Sequence, residues 1–190
     1  VKDKTIIMFA ALAHDFGKPA TTKISDQGVP VQPGHEQAGV EPTQEFLDKL
    51  TNESDIVDNV LFIVENHLLP LEYHRSGAGD SAFRRAINKF GLKKLELLAA
   101  VSEADATGRL HKNSDGHIFQ PKGEELDWFR QRIQDVSTSQ GITQEGKIVP
   151  LMTGDHLKEM GFKEGPKVGQ ILQDVRSQQE EGSLTSLEDA

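Results

Sequence analysis

The residues best suited to chemistry are imidazoles and carboxylates at the ends of apolar segments. His14 and Asp15 close the segment Asp3 to Ala13, His35 and Glu36 open another, His67 closes a third, and Asp105 sits late in a fourth. A carboxylate beside a core helix is costly unless hydrogen-bonded or metal-bound, so Asp15 needs a partner. A mixed His and Asp set in a chain with no cysteine favours Mn, Ni, Co, Mg or Fe, as one or two ions. Such ions acidify water and polarise a phosphoryl oxygen, which points to hydrolysis of a phosphate ester. Plainer readings stand beside this one. His35 could simply start a helix, His67 could be a cation favoured at a helix C-terminus, and Asp105 could be a surface acid near Glu103. His74, His111, His117 and His156 fall in loops or on polar faces and read as solvated.

Helices must position these groups. Asp3 to Ala13 (DKTIIMFAALA) is apolar nearly all round, which predicts a helix buried on most sides and ended by Gly17 and Pro19. Ala20 to Gly34 is a polar excursion in which Asp26-Gln27-Gly28 and the alternating Val29 and Val31 after it predict a small hairpin or short ribbon. Helices follow at His35 to Leu50 and at Asp55 to His67, the latter with Ser54 as N-cap. Leu68 to Gly79 reads as loop. Asp80 caps a helix through Phe90 stopped by Gly91, and Leu92 to Thr107 forms another ended by Gly108. Leu110 to Pro121 reads as loop and Lys122 to Val136 as an amphipathic helix carrying Trp128. After a weak stretch, Ser137 to Pro150, comes a helix pair. Its first member is capped by Thr153 and stopped by Gly161, and its second opens at Pro166. Around Pro166, Gly165 and Lys167 could offer a phosphate a helix N-terminus, although a simple cap-and-start reading fits the same residues. The fold class expected is all-α, a helical bundle with a short loop or hairpin excursion after the first helix, over residues 1–136. A C-terminal helical extension occupies residues 137–190.

The chain has 190 residues, a formal charge of -9 and 36% hydrophobic residues. Its longest uninterrupted apolar run, Ile6 to Ala13, is far below the roughly 20 residues of a membrane span. No secretory signal pattern is present, so a cytoplasmic protein is the default. The acidic balance argues against a surface built to coat phosphate backbones, though not against a local basic groove. There is no initiator Met, and Thr185-Ser186-Leu187-Glu188 reads as a capping box whose helix does not follow, which together suggest a piece of something longer.

The strings AALAHDFGKPATT, PGHEQAGVEPTQEFL, VENHLLP, FRRAI and EADATGR closely resemble, in this order, the HD domain of bacterial tRNA nucleotidyltransferases, the CCA-adding enzymes. The closing TGDHLKEMGFKEGPKVGQIL is similar to the segment that follows that domain. The resemblance implies a helical, metal-dependent phosphohydrolase acting on a phosphomonoester or a 2',3'-cyclic phosphodiester of a nucleotide or RNA 3' end. It implies His14, Asp15 and Asp105 as metal ligands, with His35 and His67 as further ligands and Asp15 and Lys18 as catalytic residues. Lys18, Arg84, Arg85 and Arg109 would contact phosphate or RNA, unless the arginines serve only in helix-surface ion pairs. An N-terminal nucleotidyltransferase domain and tRNA are the implied partners, and a non-catalytic tRNA-binding body is the alternative function. Nucleotide addition itself has no place in this chain, which carries neither paired strand carboxylates nor a Gly-Ser nucleotide loop. One departure concerns the family's first His, which lies upstream of the HD helix, whereas no His precedes His14. A chain beginning at Val1 would lack that ligand and bind metal weakly or not at all, whereas reading the chain as a piece puts the ligand on a preceding helix.

Overall fold

The computed structural model describes residues 1–112, 115–120, 122–139, 149–184 and 186–187. It is all-α, as expected, with two short antiparallel ribbons as its strand content among these residues. In chain order the elements are α1 Lys2–Ala13, α2 Lys18–Thr21, β1 Lys23–Ile24, β2 Pro30–Val31, α3 His35–Ala38 and α4 Val40–Leu47. There follow α5 Ser54–Asn66, α6 Leu69–Ser76, α7 Asp80–Phe90, α8 Leu92–Gly108, β3 His111–Lys112, β4 Ile118–Phe119, α9 Glu124–Ser139, α10 Gly154–Glu159 and α11 Pro166–Glu181.

The contacts divide the chain into two compact units, residues 1–77 with 93–130 and residues 78–92 with 131–190. In the first, Ile6, Ala10 and Ala13 of α1 are fully buried and α1 packs against α5, which contributes Val60, Ile63 and Val64. Leu95, Leu98 and Val101 of α8, with Leu126 and Phe129 of α9, complete its core. Ion pairs tie the helix starts together, Lys2 to Asp55 (3.0 Å) and Asp3 to Lys93 (3.0 Å). At the opposite ends His14, His67 and Asp105 meet, so α1, α5 and α8 run in the same direction and their C-termini converge.

In the second unit Phe83 and Ile87 of α7 are buried, and Met152, Leu157, Val175 and Leu184 form a small core. Arg84 is buried there too, and its guanidinium donates to the carbonyls of Glu180 and Glu181 at the end of α11 (both 2.8 Å). Thr153 and His156 make the capping box of α10, Gly161 follows at a positive φ of 89°, and Pro166 opens α11.

Several expectations need correction. The α1 helix is not buried on most sides, because Met8 and Leu12 are 71% and 58% exposed. The helix expected from His35 breaks at Gly39 into α3 and α4. The N-cap of α5 is Glu53, without a side-chain cap bond, rather than Ser54. The segment Leu68 to Gly79 contains α6, because Pro70 stands in the first helical turn, where its missing N–H leaves no hydrogen bond unmade. The stretch from Leu110 carries the β3–β4 ribbon. The first ribbon is as expected, with Lys23 opposite Val31, Ile24 opposite Pro30 and Gly28 at φ 75° in its turn. Of the closing capping box, Thr185 and Glu188 lie outside the described residues, as does most of Ser137 to Pro150.

Candidate metal centre

Three histidines are built into the first unit in the same way. His14 is the C-cap residue of α1, His67 that of α5, and His35 is the first residue of α3 after Gly34, which takes a left-handed φ of 73°. In each, Nδ1 lies against the carbonyl three residues earlier: Ala11 (2.8 Å), Gln32 (2.8 Å) and Val64 (2.7 Å). A carbonyl only accepts, so the proton belongs on Nδ1, and in a neutral imidazole Nε2 is left bare. The three Nε2 atoms are the ones that face one another and the carboxylates.

Asp15 stands between them. Its Oδ2 lies 3.3 Å from His14 Nε2 and 2.6 Å from Lys18 Nζ, while its Oδ1 lies 3.6 Å from His35 Nε2. His35 Nε2 and His67 Nε2 are 3.1 Å apart, and His14 Nε2 lies 3.2 Å from Asp105 Oδ1. Arg109 donates to both oxygens of Asp105, at 2.5 Å to Oδ1. Two groups that could hold a metal ion result, His14–Asp15–Asp105 and Asp15–His35–His67, each with its potential ligand atoms within 4.8 Å of one another, and Asp15 belongs to both. Two bare imidazole nitrogens at 3.1 Å repel unless a proton or a metal ion lies between them. Nitrogen ligands at ~2.1 Å from one ion stand about 3.0–3.4 Å apart. The residues therefore fit a cation, and the oxygen and nitrogen donors without sulfur fit a divalent one. The C-terminal ends of α1, α5 and α8 add the negative ends of three helix dipoles.

The electrostatics follow from these contacts. Burial pulls the His14 imidazole down, but the Asp105 hydrogen bond, the Ala11 carbonyl and the Asp15 charge outweigh it and leave the group above its ordinary 6.5. Burial, with the neighbouring imidazoles, holds His67 below its ordinary value against the opposing Val64 bond. Burial would raise the Asp105 carboxyl, yet hydrogen bonds from His14 and Arg109 hold it well below the usual carboxylate range.

A cleft of about 280 Å³ opens on the centre, lined by Asp15, Lys18, Gln32, His35, His67, Leu68, Leu71, Glu72, Arg75, Asp105 and Arg109. A second opening reaches His14, Asp15, Asp105 and Arg109 from the side of Ala11 and Ala104. The structure thus brings together His14, Asp15, Lys18, His35, His67, Asp105 and Arg109. Arg84 belongs to the other unit, with its guanidinium engaged by α11 carbonyls, and Arg85 is an exposed residue of α7. Gln32, Glu72 and Arg75 line the cleft without having been singled out in the sequence. The signal for two of them was present: Leu68, Leu71, Glu72 and Arg75 follow the i, i+3, i+4, i+7 spacing of one helix face.

Residues 1–110 match the model of a family described as the HD domain. Among curated proteins, the chain is similar to the CC-adding tRNA nucleotidyltransferase of Thermus thermophilus, 27% identical over 185 residues covering 95% of this chain and 37% of the relative. It is also similar to the multifunctional CCA protein of Xylella fastidiosa, 33% identical over 132 residues covering 64% of this chain and 28% of the relative. The chain spans about a third of the length of these relatives. No solved structure matches it significantly.

Proposed function

Because the chain belongs to the HD-domain family, a family of metal-dependent phosphohydrolases, we propose that His14, Asp15, His35, His67 and Asp105 hold one or two divalent ions in a phosphohydrolase site. The substrate proposed is a phosphomonoester or a 2',3'-cyclic phosphodiester of a nucleotide or RNA 3' end. The observation that carries the reading is the facing of bare Nε2 atoms, His35 to His67 at 3.1 Å, around a carboxylate shared by both ligand groups. Bound there, divalent ions would supply an acidified water and positive charge for a phosphoryl group.

The chain's own residues do the positioning. The carbonyls of Ala11, Gln32 and Val64 fix the three ring orientations, as outer partners of ligating histidines do. Lys18 steadies Asp15 and Arg109 steadies Asp105. In the cleft, three carboxylates (Asp15, Glu72, Asp105) face three cations (Lys18, Arg75, Arg109), so a divalent ion leaves the cleft positive and receptive to a phosphate despite the chain's -9. Mn, Ni, Co, Mg and Fe all suit the donor set.

A second reading is a tRNA-binding body module within a longer nucleotidyltransferase, the nucleotide-adding domain lying outside this chain. It is favoured by the match to the Thermus protein, which runs over 95% of the chain and so spans both units. Metal analysis with turnover of 2',3'-cyclic AMP separates the two. Metal-dependent turnover lost in Asp15→Ala supports the hydrolase, and unchanged turnover in that variant would falsify it. Salt-sensitive tRNA binding without turnover would favour the module.

A further inference from the structure

Three cationic side chains line the cleft, and they are not equivalent. Lys18 Nζ is 2.6 Å from Asp15 Oδ2, and Arg109 is held on both oxygens of Asp105. Arg75, in the last turn of α6, is exposed and has no ion-pair partner among the described residues. Its nearest candidate on the same helix, Glu72, lines both this cleft and a small adjoining pocket beside Glu36 and Glu65, and is not paired with it.

We propose that Arg75 is the anion-binding residue of the cleft, taking a non-reacting oxygen of the substrate phosphate while Lys18 and Arg109 remain with their carboxylates. This rests on the reading of the centre given above. Lys18 and Arg109 already make charge-assisted bonds to Asp15 and Asp105, and turning either onto an incoming anion would give up those bonds. Arg75 meets an anion with no such loss. Its planar fork suits two phosphate oxygens at once. At about 280 Å³ the cleft is small for a ligand site, typically ~300–1,000 Å³, so it admits a phosphate with the first part of its ester. An exposed arginine on its wall holds that phosphate and leaves the remainder of the substrate outside.

The experiment uses the whole chain, Mn²⁺ and inorganic phosphate. Mn²⁺ binding is read by electron paramagnetic resonance, and phosphate binding to the Mn²⁺-loaded protein by ³¹P line broadening. Arg75→Gln is expected to raise the phosphate concentration for half-saturation about 10- to 100-fold with Mn²⁺ affinity unchanged. Arg75→Lys should recover part of the loss. A wild-type phosphate curve in Arg75→Gln, with Mn²⁺ bound normally, overturns the assignment and leaves the centre standing. Absence of Mn²⁺ binding by the wild-type chain overturns the reading of the centre and this assignment with it. Because Arg75 is exposed, unchanged thermal unfolding of the variant checks that a loss is local.

Discussion

At the scale of single residues, the centre is organised by where protons are forbidden. Nδ1 of His14, His35 and His67 is committed to a carbonyl, so under the proposed reading a metal would compete with the proton at Nε2. His14 sets the pH limit, because Asp105 and its other partners raise it above 6.5 while burial depresses His67. As pH falls through the raised value, His14 takes a proton where the ion would bind. Mn²⁺ affinity should therefore begin to drop above pH ~6.5, with log affinity losing about one unit per pH unit, whereas control by His67 would put the onset lower. Titrations between pH 5.5 and 8 decide between these. Asp15→Asn keeps the shape of the shared ligand and removes its charge. Mn²⁺ affinity should fall beyond the roughly 10–100-fold typical of losing an outer partner of a ligand, with the circular dichroism spectrum unchanged. Wild-type affinity in Asp15→Asn would contradict the shared-carboxylate reading.

Among the elements, the decisive contact is between the turn after α1 and the start of α3. Gly17 has φ -79° and ψ -14°, a conformation open to any residue, so its identity concerns space rather than backbone freedom. A Cβ there would stand 2.0 Å from the His35 carbonyl oxygen and 2.6 Å from the Gly39 nitrogen, both backbone atoms. Gly17→Ala should therefore push α3 from α1 and separate His35 from Asp15. Overpacking of this kind costs about 1–3 kcal/mol, or roughly 3–10 °C in Tm for a chain of this size, and Mn²⁺ affinity should fall alongside. A melt and a metal titration within error of wild type would show that the two segments are not in contact. The sequence made some of these elements legible and hid others for identifiable reasons. His14 and Asp15 stood out because two polar residues closed an apolar run, and the first ribbon because Asp26-Gln27-Gly28 leads into the alternating Val29 and Val31. The α6 helix was hidden because Pro70 looks like a breaker when its place in the first turn is unknown, and with α6 went Glu72 and Arg75. The break between α3 and α4 depends on Gly39 packing against Gly17 and Val64, a tertiary contact without a local signal. Arg84 looked like a phosphate ligand because an arginine's partner cannot be read from spacing, and carbonyls nearly a hundred positions away engage it.

For the molecule as a whole, the formal charge of -9 is a poor guide to what the cleft presents, since its lining carboxylates and cations balance. Composition cannot show that balance, because it arises from side chains on segments as distant as Lys18 and Arg109. The same gathering links metal binding to stability. Every candidate ligand among the described residues comes from the first unit, at the ends of α1 and α5, on α3 and α8 and in the turn after α1, and none from residues 78–92 or 131–190. An ion that binds only when these elements are assembled stabilises them by RT ln(1 + [L]/Kd), about 2.7 kcal/mol at one hundred times Kd. Hydrogen exchange with Mn²⁺ at that level, compared with a chelated sample, should show slower exchange at amides of α1, α5 and α8 by up to about 100-fold. Amides of α10 and α11, which supply no ligand, should gain less. An equal gain in both groups would mean that the ion acts through the whole chain, and no gain at α1, α5 and α8 would mean that their ends do not bind it.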